Sequence, residues 1–190
     1  MKYISIDIET TGLNPETCNI IEFGAILDDT EKLDPLDKLA TFHCYILPPE
    51  KTYTGEPYAL SMHPEKFKRI ATRTKGFDYW SGSKLGFGFK TFLLENGYSL
   101  EEDRVHINVA GKNFGTFDLQ FLKKLDGWVK HIDVRHRIID PSILYWDSED
   151  ETLPGTELCK QRCGLIELVK HDVISDCMDV IQLVRYKLSS

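Results

Sequence analysis

Residues 2–9 of this chain, KYISIDIE, alternate strictly between apolar and polar side chains. In an extended chain successive side chains point to opposite faces. Ile4, Ile6 and Ile8 therefore share one face, and Tyr3, Ser5, Asp7 and Glu9 share the other. The segment is expected to be a strand whose second face ends in two neighbouring carboxylates. Two like charges that close repel unless a cation sits between them. Polar strand edges also carry Asp-x-Glu for no chemical reason, so the pair needs further support.

The following segments set the fold class. Thr-Gly-Leu-Asn-Pro at 11–15 is a turn, residues 19–27 (NIIEFGAIL) suit a central strand, and residues 40–47 (ATFHCYIL) form a third strand stopped by Pro48 and Pro49. Three strands with short connections imply an antiparallel meander. Leu85, Phe89, Phe92 and Leu93 have the spacing of a first helix, closed by Asn96-Gly97. Residues 105–110 (VHINVA) read as one strand, and Phe114, Phe117, Phe121, Leu122 and Leu125 as a helical stripe. Residues 137–140 (RIID) read as a strand, 147–151 as an acidic loop, and Val173, Cys177, Val180, Ile181 and Val184 as one face of the last helix. This order predicts an α/β fold with a mixed sheet flanked by helices, as one domain over residues 1–190.

The bulk properties narrow the function classes. No apolar run approaches the roughly 20 residues of a membrane span, and the opening segment is too polar after Ile8 for a signal peptide. The expectation is a cytoplasmic protein with no membrane partner. Five scattered cysteines argue against a disulfide framework. Cys159 and Cys163 share a helix face, and two semi-buried thiols are favoured there over a zinc site. The net charge of −7 does not favour blanket nucleic-acid binding. Two local basic groups exist, Lys66, Lys68, Arg69, Arg73 and Lys75, and Lys130, His131, Arg135, His136 and Arg137. Each reads equally well as a solvated surface.

Two further carboxylates stand out. Asp118 falls inside the stripe, a turn after Phe114 and a turn before Leu122, where an ionised carboxylate is costly unless paired or metal-bound. A salt bridge to Lys123 or Lys124 is the alternative. Asp176 lies between Val173 and Val180 in the last helix's stripe. Asp172 is placed to cap that helix at Ser175, and His171 falls in the loop before it, with an imidazole that titrates near neutral pH.

Together these features resemble the three exonuclease motifs of the DEDDh family, which includes polymerase proofreading domains, ribonuclease T and oligoribonuclease. Residues 5–13 (SIDIETTGL), followed by IIEFGA at 20–25, match the first motif. Asn113-x-x-x-Phe117-Asp118-x-x-Phe121-Leu122 matches the second, and His171-x4-Asp176 the third. Leu153-Pro154 is also family-like. Lys112 stands where many relatives carry His, and Ile174-Ser175 where small residues are frequent.

The resemblance implies a ribonuclease-H-like fold with a five-stranded mixed sheet, the meander joined by parallel strands. It implies a 3′–5′ exonuclease acting on the 3′ end of single-stranded DNA or RNA and releasing nucleoside 5′-monophosphates. Asp7, Glu9, Asp118 and Asp176 would be catalytic and would hold two divalent metal ions. Hard oxygen ligands suit Mg or Mn. His171 would be the general base. Thr10, Thr11, Gly12 and Leu13 would hold the terminal nucleotide with Leu13 as a wedge, and Met62, His63, Asn113 and Phe117 would add substrate contacts. For the Thr10–Leu13 and Met62–His63 segments an ordinary turn or core contact is the competing reading. A catalytically silent nucleic-acid-binding module and a structure-specific endonuclease on the same fold are the alternative functions.

Overall fold

The β-branched alternation of the first segment produces the middle of a sheet. A computed structural model, which describes residues 1–165 and 172–189, places β1 (Lys2–Thr10) beside β2 (Ile20–Asp29), antiparallel, with β3 (Thr41–Leu47) antiparallel on the far side of β2. This is the expected meander. The expected first helix is preceded by two others, α1 (Pro57–Met62) and α2 (Pro64–Thr72), each opened by a proline at its first position. Proline there loses no hydrogen bond, since the first amides of a helix have no intrahelical partner. A short β4 (Tyr79–Ser81) then pairs parallel with β3, and α3 (Gly82–Glu95) follows with the buried stripe of Leu85, Phe89 and Leu93.

Residues 105–110 do not form one strand. They divide into β5 (Val105–Ile107) and β6 (Val109–Ala110), with Asn108 between them. β6 pairs parallel with β1, completing a five-stranded sheet in the order β4-β3-β2-β1-β6. After α4 (Asp118–Lys124) and α5 (Trp128–His131), β7 (Ile132–Val134) pairs with β5 in a separate two-stranded ribbon. The expected strand at 137–140 reduces to a single bridge between Ile139 and Ala110. Asp140 instead accepts hydrogen bonds from Ser142 and from the amide of Asn113, and so starts α6 (Pro141–Leu144). The chain closes with α7 (Thr156–Arg162) and α8 (Val173–Ser189).

The two faces of β1 bury into different layers, as its alternation requires. Ile4, Ile6 and Ile8 join the large core beneath α3, where Phe23 meets Phe89, Trp128 and Phe42 edge-on at centroid distances of 5.1 to 5.9 Å. Tyr3 joins the opposite cluster with Cys177, Val180, Ile181 and Val184 of α8. The Tyr3 hydroxyl donates to Asp28, and Arg185 of α8 also clasps Asp28, fixing the helix's distal half to the sheet. A buried Lys160–Asp179 pair at 2.7 Å ties α7 to α8. Cys159 and Cys163 lie in an apolar cluster with Tyr145 and Leu183. No described helix is long and apolar enough to cross a membrane.

Candidate active site

The site gathers at the C-terminal end of β1. Asp7 and Glu9 lie on the face covered by α8, both half-buried. Asp7 stands opposite Gly24 in the β1–β2 register. A Cβ at Gly24 would fall 2.7 Å from Cγ2 of Val173, the first residue of α8. The missing side chain therefore lets α8 start directly over the sheet, one turn before Asp176. Asp172 caps this start, accepting from the Ser175 amide at 3.1 Å and the Ser175 hydroxyl at 2.6 Å, as its position predicted. The strand pairing slips between Glu9 and Thr10, a bulge of the kind that redirects side chains beside sites.

Asp118 reaches the same place by a different route from the one expected. It is not in mid-helix but is the first residue of α4. Asn113 adopts a left-handed φ of +56°, and its carbonyl accepts from Thr116 and Phe117, so residues 113–117 form turns. Asp118 is buried, and its Oδ1 accepts a hydrogen bond from the Ile8 amide at 3.2 Å. Lys124, one candidate for a salt bridge to it, pairs with Glu16.

The electrostatics tie the four carboxylates together. Burial, then the charges of Asp118, Asp176 and Glu9, push the Asp7 carboxyl well above the ordinary carboxylate range. Asp118 is pushed up to about 7 by burial and by Glu9, against the lowering effect of backbone hydrogen bonds. Asp176 is pushed up to about 7 by burial, then by Glu9, Asp179 and Asp172. Such mutual repulsion is what a cation relieves, and an all-carboxylate donor set fits a hard divalent ion such as Mg or Mn. As the side chains stand, no three His, Cys, Asp or Glu groups among the described residues converge closely enough to hold an ion.

Glu9 is engaged elsewhere. Its Oε1 accepts from Lys66 Nζ at 3.0 Å, and its Oε2 lies 3.5 Å from His63 Nε2. Lys66 also donates to Glu22 Oε2 at 2.6 Å, while Glu22 Oε1 lies 2.6 Å from His43 Nε2. Burial raises the Glu22 carboxyl, but the His43 hydrogen bond and the Lys66 ammonium outweigh it and hold it below its ordinary value. Burial lowers the His63 imidazole despite the nearby Glu9 charge. Glu22, His43 and Lys66 were not singled out from sequence as site residues. The available signal for Glu22 was a carboxylate inside the apolar run IIEFGA.

The remaining predicted positions divide. Thr10 and Thr11 are buried and their hydroxyls are spent within the fold: Thr10 donates to the Gly12 carbonyl, and Thr11 donates to the Thr54 carbonyl while accepting from the Asn19 amide. A Cβ at Gly12 would fall 2.6 Å from Cys18 Sγ and 2.8 Å from the Glu56 carboxyl carbon, so glycine lets the turn close on Glu56, which receives the Leu13 amide, without displacing those side chains. Leu13 is 73% exposed, and Met62, next to His63, is 51% exposed. Asn113 is exposed on the turn before Asp118, whereas Phe117 leans on the core and on Phe121. His171 lies outside the described residues.

No protein-family model matches the chain. No curated protein matches it by sequence. Solved structures do match. E. coli exonuclease I in complex with a dT13 oligonucleotide superposes with a TM-score of 0.62 at 14% identity, over 97% of this chain and 40% of that one. The zinc-bound form of the E. coli exonuclease I–ssDNA complex gives 0.60 at 16% identity, with the same two coverages. A product-bound structure of exonuclease I gives 0.61 at 14%, over 97% of this chain and 42% of that one. The likeness establishes the α/β fold, with this chain spanning about two-fifths of its structural neighbours' length.

Proposed function

We propose that residues 1–190 form a divalent-metal-dependent 3′–5′ exonuclease domain of the DEDDh type, acting on single-stranded nucleic acid. The observation that carries this reading is the position of Asp7, half-buried at the end of β1 and acted on by the charges of Asp118, Asp176 and Glu9. These four acids come from three separate stretches of sequence, each matching one exonuclease motif in order. The fold shared with exonuclease I, whose structures hold single-stranded DNA or product, supports the same reading.

In this reading Asp7, Glu9, Asp118 and Asp176 hold two Mg or Mn ions. When bound, such ions polarise the scissile phosphodiester and stabilise the attacking and leaving oxygens. The protein's own groups do the rest. Asp118, fixed by the Ile8 amide, presents its carboxylate beside β1. Gly24 lets α8 bring Asp176 to the same end of the strand. His171, five residues before Asp176, takes the proton of the attacking water as general base; this assignment rests on the motif spacing. The exposed Leu13 wedges against the terminal base, and the exposed Met62 and its neighbour His63, which lies 3.5 Å from Glu9, add further contacts to the substrate. Thr10 and Thr11 contribute by shaping the turn that presents Leu13 and the Gly12 backbone. Asn113 and Phe117 line the approach to Asp118.

The test of polarity uses 5′-labelled single-stranded DNA and RNA oligonucleotides, with free or blocked 3′ ends, and a circular single strand. The reading expects a ladder of 5′-labelled strands shortened stepwise from free 3′ ends, unlabelled mononucleotides separated by chromatography from the first minutes, and protection of blocked and circular strands. Early mid-length fragments from the circle would make the protein an endonuclease instead.

A further inference from the structure

Glu9 and Glu22 face each other directly across the β1–β2 pair. Like charges in that relation destabilise a sheet. Lys66, on α2, reaches between them with its side chain 12% exposed. Two nearby arginines are spent differently: Arg69 of α2 donates to the Tyr45 hydroxyl and stacks over Phe77, and Arg73, just past the end of α2, stacks over Tyr79. Lys66 is thus the cation this helix delivers to the acidic cluster.

Resting on the function proposed above, we infer that Lys66 is a resident counter-ion that competes with the divalent metal for Glu9 and so sets the metal concentration at which the site fills. Glu9 Oε1 is held by Lys66 at 3.0 Å, and Oε2 lies 3.5 Å from His63 Nε2. A divalent ion that takes Glu9 Oε1 must displace the Lys66 ammonium from it. Lys66 has somewhere to stay when that happens. Its contact to Glu22 is the shorter, at 2.6 Å, and Glu22 is itself anchored by His43. The ammonium can release Glu9 without becoming an unpaired buried charge. Lys66 is a positioning residue in this scheme, and it also keeps Glu9 and Glu22 from repelling each other before metal arrives.

The experiment is calorimetric titration of the purified, chelator-treated full chain with Mn²⁺, for wild type and Lys66→Met. Removing the ammonium should tighten Mn²⁺ binding by roughly tenfold or more, because a nearby positive charge opposes cation entry in a partly buried site. It should also lower the thermal stability of the metal-free protein, since Glu22 loses its cation. In case Lys66→Met does not fold, the same comparison is made between Glu22→Gln and Glu22→Gln/Lys66→Met, where no buried charge is stranded at position 22. Again the protein lacking Lys66 should bind Mn²⁺ more tightly. Equal or weaker binding in the folded variants, with wild type binding normally, overturns the role of Lys66 and leaves the exonuclease reading intact. No Mn²⁺ binding by any of these proteins overturns both.

Discussion

The amide of Ile8 donates a hydrogen bond to Oδ1 of Asp118 across 110 residues of sequence. It joins the first residue of α4 to the strand that carries Asp7 and Glu9 on either side of Ile8. Two substitutions separate this structural role from the charge. Asp118→Asn keeps a side-chain oxygen for the amide, whereas Asp118→Ala leaves a buried N–H without a partner. In chelator, Asp118→Ala should be less stable than Asp118→Asn by about 1–3 kcal/mol in urea unfolding. Both should lose turnover. Equal stability of the two variants would show that the Ile8 bond does no holding.

The raised carboxyls of Asp118 and Asp176 also set a pH dependence of stability in the absence of metal. Each has its folded value near 7, above an ordinary value of 3.8. The folded state therefore holds these protons more tightly than the unfolded one. That contribution is fully present below about 3.8 and is lost as pH rises through about 7. Urea midpoints measured in EDTA should fall between about pH 5 and 8, and Asp118→Asn should flatten part of that fall. Parallel profiles for wild type and variant would contradict the assignment.

Gly24 supplies a steric test. A methyl there would meet the Val173 side chain at 2.7 Å and push on the start of α8, while a methyl at Gly115 would meet nothing closer than 3.6 Å. Gly24→Ala should cost about 1–3 kcal/mol as an overpacking change. It should also reduce turnover, because Asp176 moves with the helix. Gly115→Ala should be near neutral in both measurements. A Gly24→Ala protein with wild-type stability and rate would remove the close-approach argument.

These relationships show which parts of the molecule were legible beforehand. The alternation of Ile4, Ile6 and Ile8 against Tyr3, Ser5, Asp7 and Glu9 is a local pattern, and it placed β1, its two faces and its carboxylate end correctly. The stripe of α8 and the Asp172 cap were readable for the same reason. Asp118 is buried, as its place among apolar residues implied, but it opens α4 instead of lying in mid-helix. The apolar spacing of Phe114 to Leu122 imitates a helix, and nothing local reveals that Asn113 turns left-handed. Residues 105–110 look like one strand because Val105, Ile107 and Val109 alternate as strand formers, yet the break at Asn108 depends on which partner each half finds. The helices opened by Pro57 and Pro64 were missed for want of a long apolar stripe. The Glu9–Lys66–Glu22 arrangement was hidden altogether: it joins two strands and a helix, and Lys66 reads in sequence as one of a basic surface run.

The central claim is that the four carboxylates form a metal-dependent hydrolytic centre served by His171. The most direct measurement is a time course on a 5′-labelled single-stranded oligonucleotide at saturating Mn²⁺, in EDTA, and in EDTA followed by excess Mn²⁺, with wild type, Asp7→Asn and His171→Ala. The account predicts 3′-end shortening by wild type with Mn²⁺, none in EDTA, and recovery on readdition. It predicts no turnover by Asp7→Asn, and a loss of about 10²–10⁴ in rate for His171→Ala with Mn²⁺ binding retained. Undiminished hydrolysis in EDTA, or by Asp7→Asn, would contradict it.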